Sequence, residues 1–515
     1  MTAKPIRLFR AFATVGGWTM GSRVLGFVRD IMIAAFLGAG PVAEAFFVAF
    51  RLPNMFRRFF AEGAFNMAFV PLFAKRLEGG EDAKGFAEEA MAGLLLILLT
   101  LSAAAIVFMP LLMFALAAGF ADDAAKFDLA VAYGRIQFPY LLCMALTALF
   151  SGVLNAMGRF AAPAAAPVLL NVILIGAMAA AAGVAAPVGD ALSIGVLAAG
   201  FAQVALVATA ARRAGMGLGW RRPRWTPAMK RLVTLGVPGA LAGGVTQVNL
   251  LIGTIIASFY AGAVAWLNFA DRIYQLPLGV VGVAIGVVLL PELARRVRAE
   301  DGEGARVSFN RATEFAMALT LPAAAALVAM PGPIVEVLFA RGAFGASDAA
   351  AVAAALTLFA LGLPAFVLQK VLQPVFFARE DTKTPLYYAL ATMVLNTVIS
   401  IGGAPFIGWM AIPIGTALAG WLNVALLWRG ARSFGDAARM DERLTRRLPR
   451  LALAAAIMGG AVWLGAGALA EALTTPGVRY AALGALVAGG GAIYGALALA
   501  LGAASLGDLR AAVRR

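Results

Sequence analysis

The stretch that decides the fold runs from Pro41 to Arg76 and reads PVAEAFFVAFRLPNMFRRFFAEGAFNMAFVPLFAKR. It is apolar enough to enter a bilayer, yet it carries five charges that need a reason: Glu44, Arg51, Arg57, Arg58 and Glu62. A charge near the bilayer centre costs at least ~2.5–3.5 kcal/mol, so it normally faces a partner or a water-filled cavity. On a helix that enters at Pro41, Arg51 lies about 15 Å deep, close to the middle of a ~30 Å hydrocarbon core. The stretch therefore predicts a membrane helix with a functional polar face.

The direction of these charges depends on the helix geometry. An unbroken helix would align four of them within about 40° on one stripe: Glu44, Arg51, Arg58 and Glu62. Pro53 removes a backbone hydrogen bond and favours a bend, which could turn Arg57 onto the stripe in place of Arg58. The alternative for Arg57, Arg58 and Glu62 is a position at the membrane surface, with their side chains extended to water.

Composition places the chain in the membrane. Of 515 residues, 62% are hydrophobic and 13% are charged, against about 45–50% and about 25% in soluble proteins. The formal net charge is +15, and most of the basic residues lie between apolar segments. This distribution indicates membrane topology and not nucleic-acid binding. Histidine is absent and Cys143 is the single cysteine, so histidine-based catalysis, an intrachain disulfide and a cysteine metal cluster are excluded. We expect no metal and no cofactor.

Fourteen apolar stretches are long enough to span a bilayer, and they lie at residues 12–38, 41–74, 87–116, 127–156, 162–183, 190–213, 229–259, 263–294, 307–330, 348–377, 384–404, 408–429, 447–471 and 479–502. Lys and Arg concentrate in alternate loops, which puts both termini on the cytoplasmic side. The opposite loops hold only Lys126, Arg341 and Arg479. The chain start lacks a signal-peptide core and cleavage site, so we expect a retained first helix.

The sequence also contains an internal repeat. VPLFAKRLEGGEDAKGF at 70–86 resembles LPELARRVRAEDGEGAR at 290–306, and AFRL at 49–52 aligns with ADRI at 270–273. These offsets move a residue by six helices, so both halves share one orientation. We predict an all-α polytopic membrane protein with two six-helix lobes, related by a pseudo-two-fold axis along the membrane normal, and two additional C-terminal helices. The predicted divisions are residues 1–213, a cytoplasmic linker at 214–228, residues 229–430, and residues 431–515.

Three arginines share one depth in this arrangement. Arg23 on the first helix, Arg51 and Arg272 each lie roughly 15 Å from a membrane face. Nearby acids are few, namely Asp30, Glu44, Glu62 and Asp271. A cavity between the lobes would be net positive, and a planar guanidinium binds a phosphate through two parallel hydrogen bonds, so a diphosphate is a suitable ligand.

The alternative is that these arginines form structural ion pairs with the nearby acids. Asp271 is poorly placed to neutralise Arg272, because adjacent residues on a helix do not face each other. Buried amides are expected mainly as interhelical hydrogen bonds: Asn171, Gln203, Gln247, Asn249, Gln369, Gln373, Asn396 and Asn423. The last two helices either face lipid or form an apolar groove for an acyl or isoprenoid chain.

Four stretches carry a resemblance to a known family. They are SRVLGFVRD at 22–30, EAFFVAFRLPNMFRRFFAEGAFNMAFVP at 44–71, ADRIYQLPLGVVGVAIGVVLLPEL at 270–293 and REDTKTP at 379–385. On these motifs the chain resembles the MurJ (MviN) lipid flippases of the multidrug/oligosaccharidyl-lipid/polysaccharide exporter superfamily. The similarity covers essentially the whole length.

The resemblance implies a flippase that moves lipid II, the undecaprenyl-diphosphate-linked peptidoglycan precursor, to the outer leaflet of the bacterial inner membrane by alternating access, and not an enzyme. It implies cavity arginines at Arg23, Arg29, Arg57 and Arg272. Ser22, Asp30, Asn54 and Glu62 lie in the same motifs, and we add Arg51 from its depth. Glu44 and Asp271 are candidates for gating or ion pairing; Glu44 stands where the family pattern has aspartate. The last two helices match the family's groove for the lipid tail.

Driving force and partners are expectations of a different kind. Some members of the family bind sodium through acids in the second half of the chain. The seventh predicted helix, at 229–259, offers only Gln247 and Asn249 in their place. Sodium coupling is therefore doubtful, and membrane potential is favoured as the driving force. We expect a monomer among membrane lipids, with peptidoglycan-synthesis proteins as further candidate partners. The alternatives are an O-antigen-type flippase or a drug/cation antiporter of the same superfamily, which would lack the motifs at 22–30 and 53–71. An intramembrane transferase would need a carboxylate cluster or a histidine.

Overall fold

The computed structural model describes residues 5–57 and 64–504. Within these ranges the chain forms helices and no strand, so the all-helical class predicted from the sequence is confirmed for them. By its internal contacts the chain divides into two compact units, Met1–Ala265 and Trp266–Arg515.

The first unit contains ten helices. They are α1 (Pro5–Leu37), α2 (Pro41–Arg57), α3 (Ala64–Glu78), α4 (Ala83–Val107), α5 (Met109–Leu116), α6 (Ala124–Gln137), α7 (Tyr140–Ala156), α8 (Ala161–Gly183), α9 (Val188–Arg213) and α10 (Pro227–Ser258). A 3-10 turn at Ala118–Asp122 joins α5 to α6. The second unit takes in nearly all of the next helix and the eight that follow it. They are α11 (Ala263–Arg298), α12 (Gly302–Ala329), α13 (Pro331–Phe339), α14 (Ala346–Phe377), α15 (Lys383–Ile407), α16 (Ala411–Ala431), α17 (Glu442–Ala468), α18 (Ala470–Thr474) and α19 (Val478–Ala500).

Nine segments in the described part of the chain are long and apolar enough to cross a membrane. One of them, Lys383–Gly435, contains the hairpin of α15 and α16, which reverses at Gly408. Gly408 has φ 62°, a conformation that favours glycine. In addition, α1, α10 and α11 are 33, 32 and 36 residues long, well above the ~20 residues that a span requires. The chain is therefore a multi-pass membrane protein, while the count of fourteen spans and the two-lobe symmetry stay predictions.

The boundary between the units lies beyond the predicted linker. In this structure α10, which the sequence repeat assigns to the second half, packs on α3, α4 and α5 of the first unit. The repeat describes the relation between the two halves of the sequence, whereas the units describe contacts in one conformation. The lobe boundaries predicted from the repeat therefore stay predictions.

In the second unit, a buried carboxylate joins α12 to α17. Glu314 accepts hydrogen bonds from Arg311 of its own helix and from Arg443 and Arg447 of α17. Arg311 also donates to Asp441, whose other carboxylate oxygen caps the first turn of α17 at Leu444. A buried acid surrounded by three guanidinium groups is stable only while those groups remain. This cluster fixes the start of α17.

Outward from this cluster, α17 and α19 present apolar surface. Trp463 and Leu464 of α17 are exposed, as are Tyr480 and Val487 of α19. The two helices pack on each other. Such a surface suits both interpretations of the C-terminal helices, lipid contact and a groove for a hydrocarbon chain.

We predict that Glu314→Ala destabilises the protein by about 3–5 kcal/mol, because it leaves three arginines close together without their buried acid. The matched control is Glu442→Ala, which removes an exposed i,i+4 pair with Arg446 and should cost at most about 0.5 kcal/mol. Thermal unfolding of the purified variants in detergent measures both. Equal melting temperatures for the two variants would contradict the structural role of the cluster.

Candidate functional site

The motif at 22–30 lies on α1 and is held by α8. Asn171 of α8 donates from its amide nitrogen to the Ser22 carbonyl oxygen, 2.9 Å away, and to the Ser22 hydroxyl, 3.3 Å away. Its amide oxygen accepts from Arg29 Nη1 at 3.0 Å. Arg29 further donates to Asp30 Oδ1 from Nε and Nη2, at 3.0 and 2.7 Å. Two of the predicted site residues are thus joined in a buried ion pair, and Asn171 makes the interhelical bond expected of it.

Arg23 has a different environment from Arg29. The two residues are six positions apart, which separates them by about 120° around a helix axis. Arg29 is 7% exposed and faces α8, whereas Arg23 is exposed. The structure therefore places one arginine of the motif in an internal ion pair and the other on an open face of α1.

Arg51 crosses from α2 to α10. Its Nη1 donates to the carbonyl oxygen of Leu250 at 3.3 Å and to the hydroxyl of Thr254. Pro53 lies inside α2, and the helix continues through it to Arg57. Asn54 is half-buried on the same helix. The predicted midplane arginine is thus engaged by a neighbouring helix in this conformation.

The remaining predicted residues of this stretch are not placed. Arg57 is the last residue of α2, and its side chain lies outside the described residues. Arg58 and Glu62 lie outside them altogether. The choice between Arg57 and Arg58 as the residue on the polar stripe stays open.

Glu44 forms a second buried ion pair. Its Oε2 accepts from Lys126 Nζ of α6 at 2.5 Å, and its Oε1 accepts from the backbone N–H of Val264 at 3.2 Å, in the first turn of α11. Lys126 Nζ also lies 3.9 Å from the centroid of the Phe120 ring. Glu44 is 1% exposed and Lys126 is 7% exposed. Glu44, predicted as a gating or ion-pairing residue, thus connects three helices.

Sequence reasoning missed Lys126, because it counted this lysine among the loop residues. A local signal was present in Asp123, which precedes Lys126 by three residues in the pattern of a helix N-cap. In the structure Asp123 Oδ1 accepts from the Lys126 N–H at 3.1 Å, so Lys126 lies in the first turn of α6 and not in a loop. From this first turn its side chain reaches Glu44 of α2.

Arg272 and Asp271 belong to the second unit. Both are half-buried on α11, and Asp271 Oδ2 accepts from Gln275 one turn later. The neighbouring Tyr274 packs between Phe359 and Phe366 of α14, with ring centroids 5.6 and 5.8 Å away. This aromatic contact fixes the turn of α11 that carries Arg272.

The motif at 379–385 forms the turn between α14 and α15. Arg379 Nη1 donates to the Val375 carbonyl oxygen at 2.8 Å, and its guanidinium lies 4.7 Å from the Phe434 ring centroid. Asp381 Oδ1 accepts from the Thr384 N–H at 3.0 Å, and this hydrogen bond holds the pKa of Asp381 below its usual range. The motif shapes a tight cap at the start of α15.

These contacts predict different roles for the two arginines of α1. Arg29→Ala should destabilise the protein by about 3–5 kcal/mol, because it leaves Asp30 buried without its partner. Arg23→Ala removes an exposed side chain and should change stability by less than about 0.5 kcal/mol. Thermal unfolding of the purified variants measures the difference. If Arg29→Ala and Arg23→Ala have the same melting temperature, the ion pair does not stabilise the fold.

The chain is similar to known proteins over most of its length. The family profile described as Lipid II flippase MurJ matches residues 33–476. A Rhizobium meliloti protein named "Probable lipid II flippase MurJ" is 49% identical over 99% of this chain and 96% of its own length. A Burkholderia cenocepacia protein named "Lipid II flippase MurJ" is 37% identical over 84% of this chain and 85% of its own length.

Solved structures share the fold. A structure titled "Lipid II flippase MurJ, inward closed conformation" superposes with a TM-score of 0.78 at 22% identity, over 94% of this chain and 97% of that one. An inward-facing multidrug resistance transporter of the MATE family and the MOP superfamily gives a TM-score of 0.68 at 14% identity, over 81% and 95%. At these identities the likeness concerns the helical architecture.

Proposed function

The chain belongs to the lipid II flippase MurJ family, and we propose that it moves lipid II from the inner to the outer leaflet of the bacterial inner membrane by alternating access. The observation that carries this proposal is the 49% identity to a protein named as a probable lipid II flippase, which extends over 99% of the chain. The charged residues buried among its membrane helices support it, because such residues mark ligand paths.

The headgroup of lipid II is attached through a diphosphate, and arginine is suited to hold it. A guanidinium stays charged when it is desolvated and donates two parallel hydrogen bonds to a phosphate. Arg23 is exposed on α1, and Arg51 is bound to a carbonyl and a hydroxyl of α10. Neutral partners of this kind can be replaced by a phosphate at a gain in electrostatic energy. Arg57 and Arg272 complete the proposed set of diphosphate ligands together with Arg29, which must exchange its hydrogen bonds to Asp30 for the phosphate to take part.

The arrangement in the membrane follows from the same proposal. Fourteen helices cross the inner membrane, both termini are cytoplasmic, and two six-helix lobes enclose the headgroup. The undecaprenyl chain lies along α17 and α19, and the exposed apolar residues of these helices support that placement. The substrate thus keeps its hydrocarbon tail in lipid while its polar head passes between the lobes.

The test is transport of lipid II by purified protein in sealed vesicles. Arg23→Ala should lower the rate about 10- to 100-fold, as expected for the loss of charge-assisted hydrogen bonds of about 1.5–3 kcal/mol. Arg23→Lys should recover less than about a tenth of it, because lysine lacks the bidentate geometry. Arg446→Ala, at an exposed arginine, is the matched control. Full activity of Arg23→Lys would show that Arg23 contributes only its charge, and full activity of Arg23→Ala would show that Arg23 does not bind the diphosphate.

Membrane potential drives the cycle in this proposal. In the proposed cycle the helices that carry the excess arginines move relative to the transmembrane field. Each charge displaced through 100 mV contributes up to ~2.3 kcal/mol. Gln247 and Asn249 of α10 offer no acid for sodium. Transport should therefore collapse when the potential is dissipated at constant sodium. Transport at an unchanged rate without the potential, together with loss of transport when choline replaces sodium, would contradict membrane potential as the driving force.

A further inference from the structure

The ion pair between Glu44 and Lys126 lies in a larger polar contact at one end of the first unit. The backbone N–H of Gly119, in the turn before α6, donates to the Ser258 hydroxyl at 3.0 Å. Ser258 is the last residue of α10, and Val264 lies in the first turn of α11. We call the set formed by Glu44, Lys126, Val264, Gly119 and Ser258 the Glu44 joint.

The Glu44 joint connects the two halves of the sequence repeat. Glu44 comes from predicted helix 2 and Lys126 from the loop just before predicted helix 4, whereas Ser258 and Val264 come from predicted helices 7 and 8. The two sides are in close contact, because a side-chain carbon on Gly119 would lie 2.5 Å from backbone atoms of Ser258 and Phe259. Any motion that parts the halves at this end must break these contacts.

We propose that Lys126 is a positioning residue for transport, which acts through Glu44 to hold the halves together at this end and to release them when water enters. The inference rests on alternating access as proposed above. The joint lies where the predicted helices at 41–74, 127–156 and 263–294 begin and where the predicted helix at 229–259 ends. In the predicted topology this is the periplasmic end. Lys126 therefore controls the exit of the headgroup.

A buried ion pair suits this role for a physical reason. In the closed contact both charges have lost their water, and each is stable only because the other is present. When the halves part, both charges regain hydration, which offsets the lost attraction. An apolar contact of the same size would expose hydrocarbon to water on opening and would favour the closed state. The pair thus makes a dry closed contact that can still open.

Two further contacts direct the pair. Phe120 faces the ammonium of Lys126, which adds a cation–π attraction in the closed form. Glu44 accepts from the N–H of Val264 at the start of α11, where the helix dipole favours a negative charge. The carboxylate therefore holds α11 directly, and Lys126 holds that carboxylate in place.

The test separates a gate from a structural contact by neutral replacement. Glu44→Gln keeps an oxygen that can accept from Val264, and Lys126→Met keeps the length and apolar stem of lysine. Lys126→Met alone should be the least stable variant, because it leaves Glu44 buried without a cation. The double variant should recover the thermal stability of the parent protein, since replacing both charges of a buried pair is often neutral or stabilising.

Opening is measured with a cysteine at Ser258, which is 3% exposed in the closed contact. The parent protein is Cys143→Ser/Ser258→Cys in spheroplasts, labelled with a membrane-impermeant maleimide and assayed for lipid II transport in vesicles. We expect the Lys126→Met/Glu44→Gln double variant to lose labelling and transport by at least about tenfold, as a shift towards the closed state predicts. Lys126→Arg should retain both, and Lys84→Met, at an exposed lysine, should match the parent.

The possible outcomes have distinct meanings. A double variant that labels and transports like the parent shows that the pair is only structural and overturns the proposal. A double variant less stable than Lys126→Met alone overturns it as well, because the neutral contact should be stable. If the unsubstituted protein moves no lipid II while the Ser258→Cys series shows the expected labelling pattern, the result argues against the proposed function and leaves the role of Lys126 supported.

Discussion

The whole structure depends on one constraint, which is that charges inside a bundle of apolar helices must be paired or hydrated. The described part of the chain satisfies it in buried groups: Arg29 with Asp30, Glu44 with Lys126, and Glu314 with three arginines. The first pair lies within the motif at 22–30, and the second joins Glu44 of the motif at 44–71 to Lys126. The third fixes the start of α17. Pairing therefore maintains the fold and determines which helices stay in contact.

The same constraint explains how such a bundle can work as a transporter. An arginine that binds neutral groups of a neighbouring helix, as Arg51 does on α10, can exchange them for a phosphate. A buried ion pair can exchange its partner for water. Both exchanges couple ligand or solvent to helix contacts, and a ligand shifts a conformational equilibrium only through such differences in affinity.

Much of the fold could be predicted from the sequence, because apolar length and composition specify membrane helices directly. The predicted stretches at 190–213 and 384–404 match the single helices α9 and α15, whereas 41–74 and 87–116 each cover parts of two helices. The amide of Asn171 bonds between helices as expected. Lys126 was missed because counting charges by loop treats any lysine at the edge of an apolar stretch as exposed. The rule that adjacent residues do not face each other, used for Asp271 and Arg272, would also have missed the bond from Arg29 to Asp30. A long guanidinium reaches its neighbour when burial excludes water, and sequence spacing does not contain that information.

The central claim is that this protein carries lipid II across the inner membrane. Its most direct test is depletion of the protein in growing cells, followed by measurement of lipid II that is accessible to a periplasmic lipid II-cleaving enzyme. The account predicts that total lipid II rises while the cleavable fraction falls towards zero. Expression of the Arg23→Ala variant in the depleted cells should not restore the cleavable fraction. A cleavable fraction that is unchanged after depletion would contradict the account.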